Sequence, residues 1–249
     1  FEDVTDLVSA QRMAAWGDVA RRIAHEIKNP LTPIRLSAER IKRKFSSKLG
    51  DQSGELDSMT NIIVRQTDEL RRIVDEFSQF ARMPEPDRKP IEFGALIKDT
   101  VLLQESGQPN VTFKLDLPLK NIWIDADVSM IGRAVTNLLK NAGESIEEAI
   151  KEAPDRDGEI RVLVSQTEKL IVLEISDNGA GLPQDRSRLM EPYVTNRASG
   201  TGLGLSIVAK IIEEHRGIFL LSDASPFGDD PKVGAKAVIK LPRMKHNTE

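Results

Sequence analysis

A segment with three prolines divides this 249-residue chain into two parts whose patterns differ. The prolines occupy positions 84, 86 and 90. A helix cannot continue through them, because proline lacks a backbone N–H donor and restricts the residue before it. We therefore predict a linker over 84–90 between a first domain, 6–83, and a second domain, 91–244. The terminal residues, 1–5 and 245–249, are expected to lie outside both domains.

The first domain carries apolar residues at the three- and four-residue spacing of a helix face. One stripe begins at Ile27 and a second at Leu56, and the turn-forming residues 50–54 separate them. This pattern predicts an αα-hairpin with apolar residues for more than one neighbour, so we expect two copies to pair as a four-helix bundle. A coiled-coil spacer is the simpler alternative. The stripes comprise Ile27, Leu31, Ile34, Ala38, Ile41 and Phe45, then Leu56, Met59, Ile63, Leu70, Ile73, Phe77 and Phe80.

The second domain alternates helical segments with short runs rich in β-branched residues. Helices are predicted at 93–104, 128–152 and 203–215, and strands at 110–117, 122–124, 159–166, 170–176, 218–221 and 235–241. Strands mixed with helices, with adjacent strands paired as hairpins, predict an α/β sandwich in which helices cover one side of a mixed sheet. The predicted fold class is therefore α followed by α/β.

Composition excludes several classes of function. The chain has no cysteine and three histidines, which excludes disulfides, thiolate metal sites and a histidine-rich metal site. The net charge is −4, and neither part has the strongly basic balance of a nucleic-acid-binding protein, so no nucleic-acid partner is expected. No apolar run approaches the roughly 20 residues of a membrane span, and no signal peptide is visible. The chain begins without Met, so we expect it to be a fragment.

His25 is the residue of the first domain best suited to chemistry. It lies two residues from both Ile23 and Ile27, so at about 100° per residue it should point away from the apolar stripe into solvent. An exposed imidazole can act as a nucleophile or proton carrier near neutral pH. Glu26 is adjacent, and Asn29 lies one turn further on the same face. A surface histidine without a chemical role is the alternative.

Two asparagines and a glycine cluster in the second domain suit a phosphate ligand. Asn137 and Asn141 are one turn apart on the longest predicted helix of that domain, and an amide oxygen suits Mg²⁺. Residues 200–204 (Gly-Thr-Gly-Leu-Gly) open a helix, where backbone N–H groups and the positive helix end attract anions. Their spacing matches neither the Walker A motif nor the Rossmann fingerprint. Capping asparagines and a plain loop are the alternatives.

A third motif, residues 177–181 (Asp-Asn-Gly-Ala-Gly), directly follows a predicted strand. Its glycines allow tight turns and the close approach of a ligand. The carboxylate of Asp177 can accept a hydrogen bond from an exocyclic amine such as that of adenine. An ordinary Asp-Asn-Gly turn is the alternative.

In order and spacing, these motifs resemble the histidine protein kinases of two-component signalling. The similar motifs are the H box at 25–32, the N box at 137–141, the G1 box at 177–181 and the G2 box at 200–205. The resemblance covers about residues 5–242, and residues 14–24 are similar to nitrogen-regulation sensor kinases of the NtrY type. Residues 1–5 resemble the last strand of a preceding PAS sensor domain that is truncated here.

The resemblance implies a dimerisation and histidine-phosphotransfer hairpin followed by a Bergerat-fold ATP-binding domain. His25 would be the phosphoacceptor and Glu26 the acid–base residue beside it. Asn29, with Glu26, would fit the pattern associated with dephosphorylation of a response regulator. The implied partners are a second copy, bound through residues 6–83, and a response-regulator receiver domain. The implied location is the cytoplasmic portion of an inner-membrane sensor.

The implied cofactors are ATP and Mg²⁺. By resemblance, Asn141 would bind Mg²⁺ with Asn137 nearby, and Asp177 would bind the adenine amine. Arg197 stands where the family usually has a lysine ahead of the lid glycines. The residues expected to shape the ATP pocket and its lid are Gly179, Gly181, Arg197, Thr201, Gly202 and Gly204.

Two other functions are compatible with parts of the sequence. A Bergerat-fold ATPase of the chaperone or mismatch-repair kind would drive a conformational cycle, but those proteins carry a glutamate where Asn137 stands. A dimerisation scaffold without catalysis would leave the four motifs unexplained. The combination of motifs favours the kinase.

Overall fold

The computed structural model describes residues 5–50, 53–81, 83–192, 194–195, 200–227 and 233–244. The chain splits into two compact units, Phe1–Pro84 and Glu85–Glu249. Of the expected terminal segments, residues 1–4 and 245–249 lie outside the described residues, and Thr5 begins the first helix. Within the described ranges, no helix combines the length and apolar character needed to span a membrane.

The first unit is the predicted αα-hairpin. Helix α1 spans Thr5–Phe45, a short 3-10 helix spans Ser46–Lys48, and α2 spans Ser53–Ala81. Pro30 and Pro33 lie inside α1, which continues through both. Polar pairs join the helices at regular intervals, and partners in successive pairs are seven residues apart on each helix, the repeat of a coiled coil. These pairs are Lys28 with Asp75, Arg35 with Asp68, and Lys42 with Asn61.

Small and β-branched side chains, together with one leucine, form the buried seam of the hairpin. They are Ala24, Leu31 and Ala38 on α1 and Thr60, Thr67 and Val74 on α2. The two threonines can be buried because their hydroxyl groups donate to carbonyl oxygens of their own helix, at 2.8 Å and 2.7 Å. Alanines in the seam leave room for α1 and α2 to lie close together.

The predicted apolar stripes coincide with this seam only in part, because Leu31 and Ala38 are buried in it while other members of the stripes are exposed. Ile27, Ile34 and Ile41 are 40–46% exposed, and Ile63 and Leu70 are 42% and 47% exposed. Each lies three residues after a buried seam position, so the five residues line one side of the hairpin, which we call the apolar strip. The seam residues bring the two helices together, and the larger side chains of the apolar strip remain available to another neighbour.

The second unit is the predicted α/β sandwich with a mixed sheet. Its helices are α3 (Phe93–Gly107), α4 (Val128–Glu152) and α5 (Gly204–Glu214). Its strands are β1 (Lys89–Glu92), β2 (Val111–Asp116), β3 (Trp123–Ala126), β4 (Gly158–Gln166), β5 (Leu170–Asp177), β6 (Ile218–Asp223) and β7 (Ala235–Pro242). The five-stranded sheet has the order β2-β4-β5-β7-β6, in which β2 and β4 are parallel and the other neighbours antiparallel.

Strand β1 was not predicted, and it overlaps the predicted linker at Lys89 and Pro90. It pairs antiparallel with β3, and Ile91 lies opposite Ile124 in a separate two-stranded sheet. Ile91 alone is too short an apolar pattern to indicate a strand, so the pairing with β3 decides its conformation. Proline is tolerated there because the strand lies at an edge.

Alternating burial shows that the helices cover one face of the large sheet. In β4 the buried residues are Gly158, Ile160, Val162 and Val164, and in β5 they are Ile171, Leu173, Ile175 and Asp177. Helix α4 supplies the matching apolar face, including Ile131, Leu138, Leu139 and Ile146. Its position against β4 and β5 brings the asparagine motif close to the end of β5, where the motif at 177–181 begins.

Candidate functional site

Helix α4 presents three polar side chains at four-residue intervals. Asn137 and Asn141 are half-buried, and Ser145 is buried. The helix begins at a well-defined point, because the Asp127 carboxylate accepts the backbone N–H groups of Ser129 and Met130 at 2.9 Å and 3.1 Å. Its apolar face is buried against the sheet, so the polar row has a fixed direction.

The loop after β5 is held by side chains on both sides. Asp177 is 5% exposed, and its Oδ1 accepts the N–H groups of Gly179 at 2.9 Å and Ala235 at 3.4 Å. Asn178 accepts the N–H of Glu159 and donates to the carbonyl of Asp157, both at 2.8 Å. The motif is therefore a loop that side-chain hydrogen bonds attach to the neighbouring strands, and not an ordinary surface turn.

Ser145 connects this loop to α4, a role that the sequence analysis missed. Its carbonyl and hydroxyl oxygens both lie 3.1 Å from the N–H of Ala180, which donates to them. A Cβ on Gly179 would lie 2.5 Å from the carbonyl carbon of Ser145 and 2.7 Å from the nitrogen of Ile146. Gly179 is therefore required for close approach to α4. Ser145 follows Asn137 and Asn141 at the same four-residue spacing, and this spacing is the feature of the sequence that could have indicated its role.

Gly234 is a second residue that the sequence analysis did not assign to the site. A Cβ there would lie 2.7 Å from the carbonyl carbon of Asp177 and 2.9 Å from the Cα of Asn178. Gly181, with a φ of +80°, lies against the residue before Gly234, since a Cβ on Gly181 would be 2.5 Å from the carbonyl oxygen of Val233. The start of β7 and the 177–181 loop thus interlock through backbone contacts.

The glycine cluster leads into α5, which begins at Gly204, one residue later than predicted. Gly202 has a φ of +68°, a conformation that favours glycine. Thr201 Oγ1 accepts the N–H of Leu203 at 3.3 Å. A Cβ on Gly204 would lie 3.7 Å from Nδ2 of Asn141, so the first turn of α5 faces the asparagine row. Arg197 lies outside the described residues.

The structure therefore brings together Asn141, Gly204 and the loop that begins at Asp177, all within the second unit. A buried carboxylate, a glycine-rich helix start and an amide oxygen fit the amine, phosphate and metal portions of Mg-ATP. Among the described residues, no group of three His, Cys, Asp or Glu side chains could hold a metal ion. The amide of Asn141 fits Mg²⁺ nonetheless, because this ion often takes one or two protein oxygens together with phosphate oxygens and water.

His25 lies in the first unit and is exposed, as its position relative to the apolar stripe predicted. The preceding Ala24 belongs to the buried seam, so the imidazole projects from a helix that packing holds in place. Glu26 forms an ion pair with Arg22 at 3.1 Å, on the surface of the same helix. Asn29 is also exposed. Imidazole, carboxylate and amide thus share one accessible part of α1.

Two known domain families match this chain. Residues 15–86 match the His Kinase A (phospho-acceptor) domain, and residues 126–245 match the histidine kinase-, DNA gyrase B- and HSP90-like ATPase. Together the two matches cover more than half of the chain, with the phospho-acceptor domain first and the ATPase domain second. The chain belongs to the histidine kinase family. Both units of this histidine kinase therefore have the fold that the sequence motifs implied.

The histidine kinase is similar to curated and solved proteins of the same family. It is 50% identical to "Nitrogen regulation protein NtrY" of Azorhizobium caulinodans over 225 residues, which are 90% of this chain and 29% of the relative. The chain spans about a third of the length of the curated relatives that it matches.

Two solved structures share the fold. Full-length ShkA in complex with AMPPNP has a TM-score of 0.66 and 21% identity, and the match covers 91% of this chain and 46% of ShkA. Histidine kinase ThkA in complex with response regulator protein TrrA has a TM-score of 0.61 and 20% identity, with 94% and 64% covered. At these identities the likeness shows the fold alone.

Proposed function

We propose that this histidine kinase transfers the γ-phosphoryl group of Mg-ATP to its own His25 and then to an aspartate of a response-regulator receiver domain. The observation that carries the proposal is the exposed His25 on a packed helix, in a chain whose second unit has a site suited to ATP. Phosphoryl transfer depends mainly on positioning and charge stabilisation, which these two units are built to supply.

In this proposal the second unit binds the nucleotide. Asp177 accepts a hydrogen bond from the adenine amine, and the helix start at Gly204 faces the phosphates. Asn141, with Asn137 nearby, holds Mg²⁺, which neutralises phosphate charge when bound. Gly179 and Gly181 keep the backbone close to the ligand, while Arg197, Thr201 and Gly202 form the lid. The tied loop at 177–181 supports these roles because Asp177 is already oriented by two backbone N–H groups.

His25 is the proposed nucleophile. One ring nitrogen attacks the γ-phosphorus, the bond to the β-phosphate oxygen breaks, and ADP leaves. Glu26, the next residue along the same exposed part of α1, accepts the proton from the other ring nitrogen. The receiver aspartate then takes the phosphoryl group from nitrogen to oxygen. Asn29, with Glu26, is proposed to support dephosphorylation of the receiver, in which water attacks the aspartyl phosphate and inorganic phosphate leaves.

We propose that the apolar strip binds a second copy of the hairpin. Its large side chains lie on one side of both helices and remain 40–47% exposed in the single chain. Burying such a strip in a four-helix bundle is favourable because each side chain loses contact with water. His25 is two residues from Ile27 and therefore points nearly opposite the strip. Dimerisation through residues 6–83 thus leaves the phosphoacceptor accessible to ATP and to the receiver.

The name of the Azorhizobium relative supports a role in nitrogen-related signalling. The same resemblance supports a location in the cytoplasmic portion of an inner-membrane sensor. The complex of ThkA with a response regulator supports a receiver domain as the partner.

Labelling with γ-phosphate-labelled ATP tests the proposal. The chain should incorporate acid-labile phosphate, and adding a receiver domain should move the label to that domain. His25→Gln should incorporate none while binding ATP with unchanged affinity. Label retained in that variant, or ATP hydrolysis without any labelled protein, would contradict the assignment of His25.

A further inference from the structure

A buried histidine joins the two helices that border the nucleotide site. His215 caps the C-terminal end of α5 and is 4% exposed. Its Nε2 accepts the backbone N–H of Asp127, at the start of α4, at 3.0 Å. Its Nδ1 lies 2.7 Å from the carbonyl oxygen of Ile211 and donates to it. The network thus uses both nitrogens of the neutral ring, one as donor and one as acceptor.

The hydrogen bond between His215 and Asp127 lies at one end of the contact between α4 and α5, and the candidate ATP site lies at the other end. Helix α5 has 11 residues, so its two ends are separated by about 16 Å at 1.5 Å per residue. At one end His215 binds Asp127, and at the other Gly204 faces Asn141. The helices α4 and α5 therefore run in opposite directions. A contact at the His215 end constrains the distance between Asn141 and the glycine cluster at the other end of α5.

The end of α5 is well defined, so His215 has little freedom to move with Asp127 if α4 shifts. Arg216 has a φ of +57°, and its N–H donates to the carbonyl of Glu213 at 2.8 Å. The N–H of Gly217 donates to the carbonyl of Ile212, also at 2.8 Å. These two bonds form a Schellman motif, which ends the helix directly after the histidine.

The segment that precedes β1 binds the same cluster. The second carboxylate oxygen of Asp127 accepts the N–H of Asp87 at 3.1 Å, and the guanidinium of Arg88 donates to the carbonyl of Glu214. Three segments of the second unit therefore meet at Asp127 and the end of α5. The position of α4 along its axis is set here as well as by packing on the sheet.

We propose that His215 is a positioning residue for nucleotide binding. By accepting the N–H of Asp127, it fastens α5 to α4 and holds the phosphate-facing start of α5 at the correct distance from Asn141. Because His215 acts a helix length from the ligand, its effect is on the geometry of the site. This inference rests on the proposed ATP-binding function.

Two amide variants separate the two hydrogen bonds of the ring. His215→Gln places an amide oxygen near the position of Nε2, where it can accept the N–H of Asp127. His215→Asn places an amide N–H near the position of Nδ1, where it can donate to Ile211, but it leaves the Asp127 N–H unpaired. If His215 positions α4, only the asparagine variant should impair nucleotide binding. Glu213→Gln, at an exposed position of α5, is the control.

Calorimetric titration of the whole chain with Mg-AMPPNP gives the affinity without any phosphoryl transfer. We expect His215→Asn to raise the Kd about tenfold, because the start of α5 is no longer held at the correct distance from Asn141, and His215→Gln to raise it less than about threefold. In autophosphorylation, His215→Asn should raise the KM for ATP more than it lowers kcat. Glu213→Gln should match the parent chain.

Equal Kd values for the two His215 variants would contradict the positioning role, even if both lower the melting temperature. An unchanged Kd in His215→Asn would contradict it as well. If the parent chain itself does not bind AMPPNP, the proposed function fails together with this inference. Failure of autophosphorylation with normal AMPPNP binding overturns only the function of His25.

Discussion

The contact between Gly234 and the backbone of Asp177 gives a sharp test of how the candidate ATP site is built. A Cβ on Gly234 would lie 2.7 Å from the carbonyl carbon of Asp177 and 2.9 Å from the Cα of Asn178, and closer still to the carbonyl oxygen. All of these atoms are backbone, so no flexible side chain can move aside. Gly234→Ala must push β7 and the 177–181 loop apart.

The size of the displacement sets the expected effect. Restoring ordinary contact of 3.4 Å requires a shift of at least 0.7 Å at the carbonyl carbon and more at the oxygen. Such a shift breaks the 3.4 Å hydrogen bond from Ala235 N–H to the Asp177 carboxylate. Overpacking of this kind costs about 1–3 kcal/mol, and a shift near 1 Å at a ligand-binding carboxylate should weaken nucleotide binding at least tenfold.

Calorimetry measures both effects in one preparation. The thermal transition of Gly234→Ala should fall by roughly 3–8 °C, and its Kd for Mg-AMPPNP should rise at least tenfold. Gly132→Ala is the control, because a Cβ there meets only Leu96 Cδ1 at an ordinary 3.7 Å. That change should stabilise α4 by about 0.5–1 kcal/mol without affecting binding. If Gly234→Ala binds AMPPNP as tightly as the parent chain, our account of how Asp177 is positioned is wrong.

Three further changes test separate parts of the structure. Gly204→Ala should keep the melting temperature but weaken Mg-AMPPNP binding about tenfold by calorimetry, because its methyl group fits 3.7 Å from the Asn141 amide, in the space proposed for phosphate. Arg216→Gly should raise the free energy of unfolding in urea by about 0.5–1 kcal/mol, because Arg216 has a φ of +57°. Asp127→Asn should be less stable than the parent chain at pH 7, and the difference should shrink in urea titrations below about pH 4.

The sign of the last prediction follows from the surroundings of Asp127. Burial alone would raise the pKa of its carboxyl group, but hydrogen bonds from the Ser129 hydroxyl and from the N–H groups of Met130, Asp87 and Ser129 outweigh burial and lower it. A carboxylate with a lowered pKa stabilises the fold above its unfolded pKa of about 3.9, and this contribution is lost as the pH falls through the folded value. A stability difference that does not change with pH would show that these bonds are not made.

The sequence predicted the elements whose signal is local. The bounds of α4 are confirmed, since Asp127 caps its start and a continuous amphipathic pattern follows. The exposure of His25 followed from its position relative to the apolar stripe. The glycines at 202 and 204 and the carboxylate at 177 are recognisable because each motif is contiguous in the chain.

Features that depend on distant neighbours could not be predicted in the same way. Strand β1 exists because β3 pairs with it, and Ile91 alone gives no pattern. The seam of the hairpin uses mainly alanine and threonine, which give little apolar pattern in the sequence, while the five larger residues of the apolar strip stay exposed. Ser145, Gly234 and His215 acquire their roles only when segments 30 or more residues apart come together.

The most direct test of the central claim is to locate the phosphoryl group after incubation with Mg-ATP. Peptide mapping by mass spectrometry under mildly basic conditions preserves a phosphohistidine and identifies the residue that carries it. We expect phosphate on the peptide that contains His25 and none on the peptides that contain His215 or His246. Phosphate on another residue, with His25 unmodified, would contradict it.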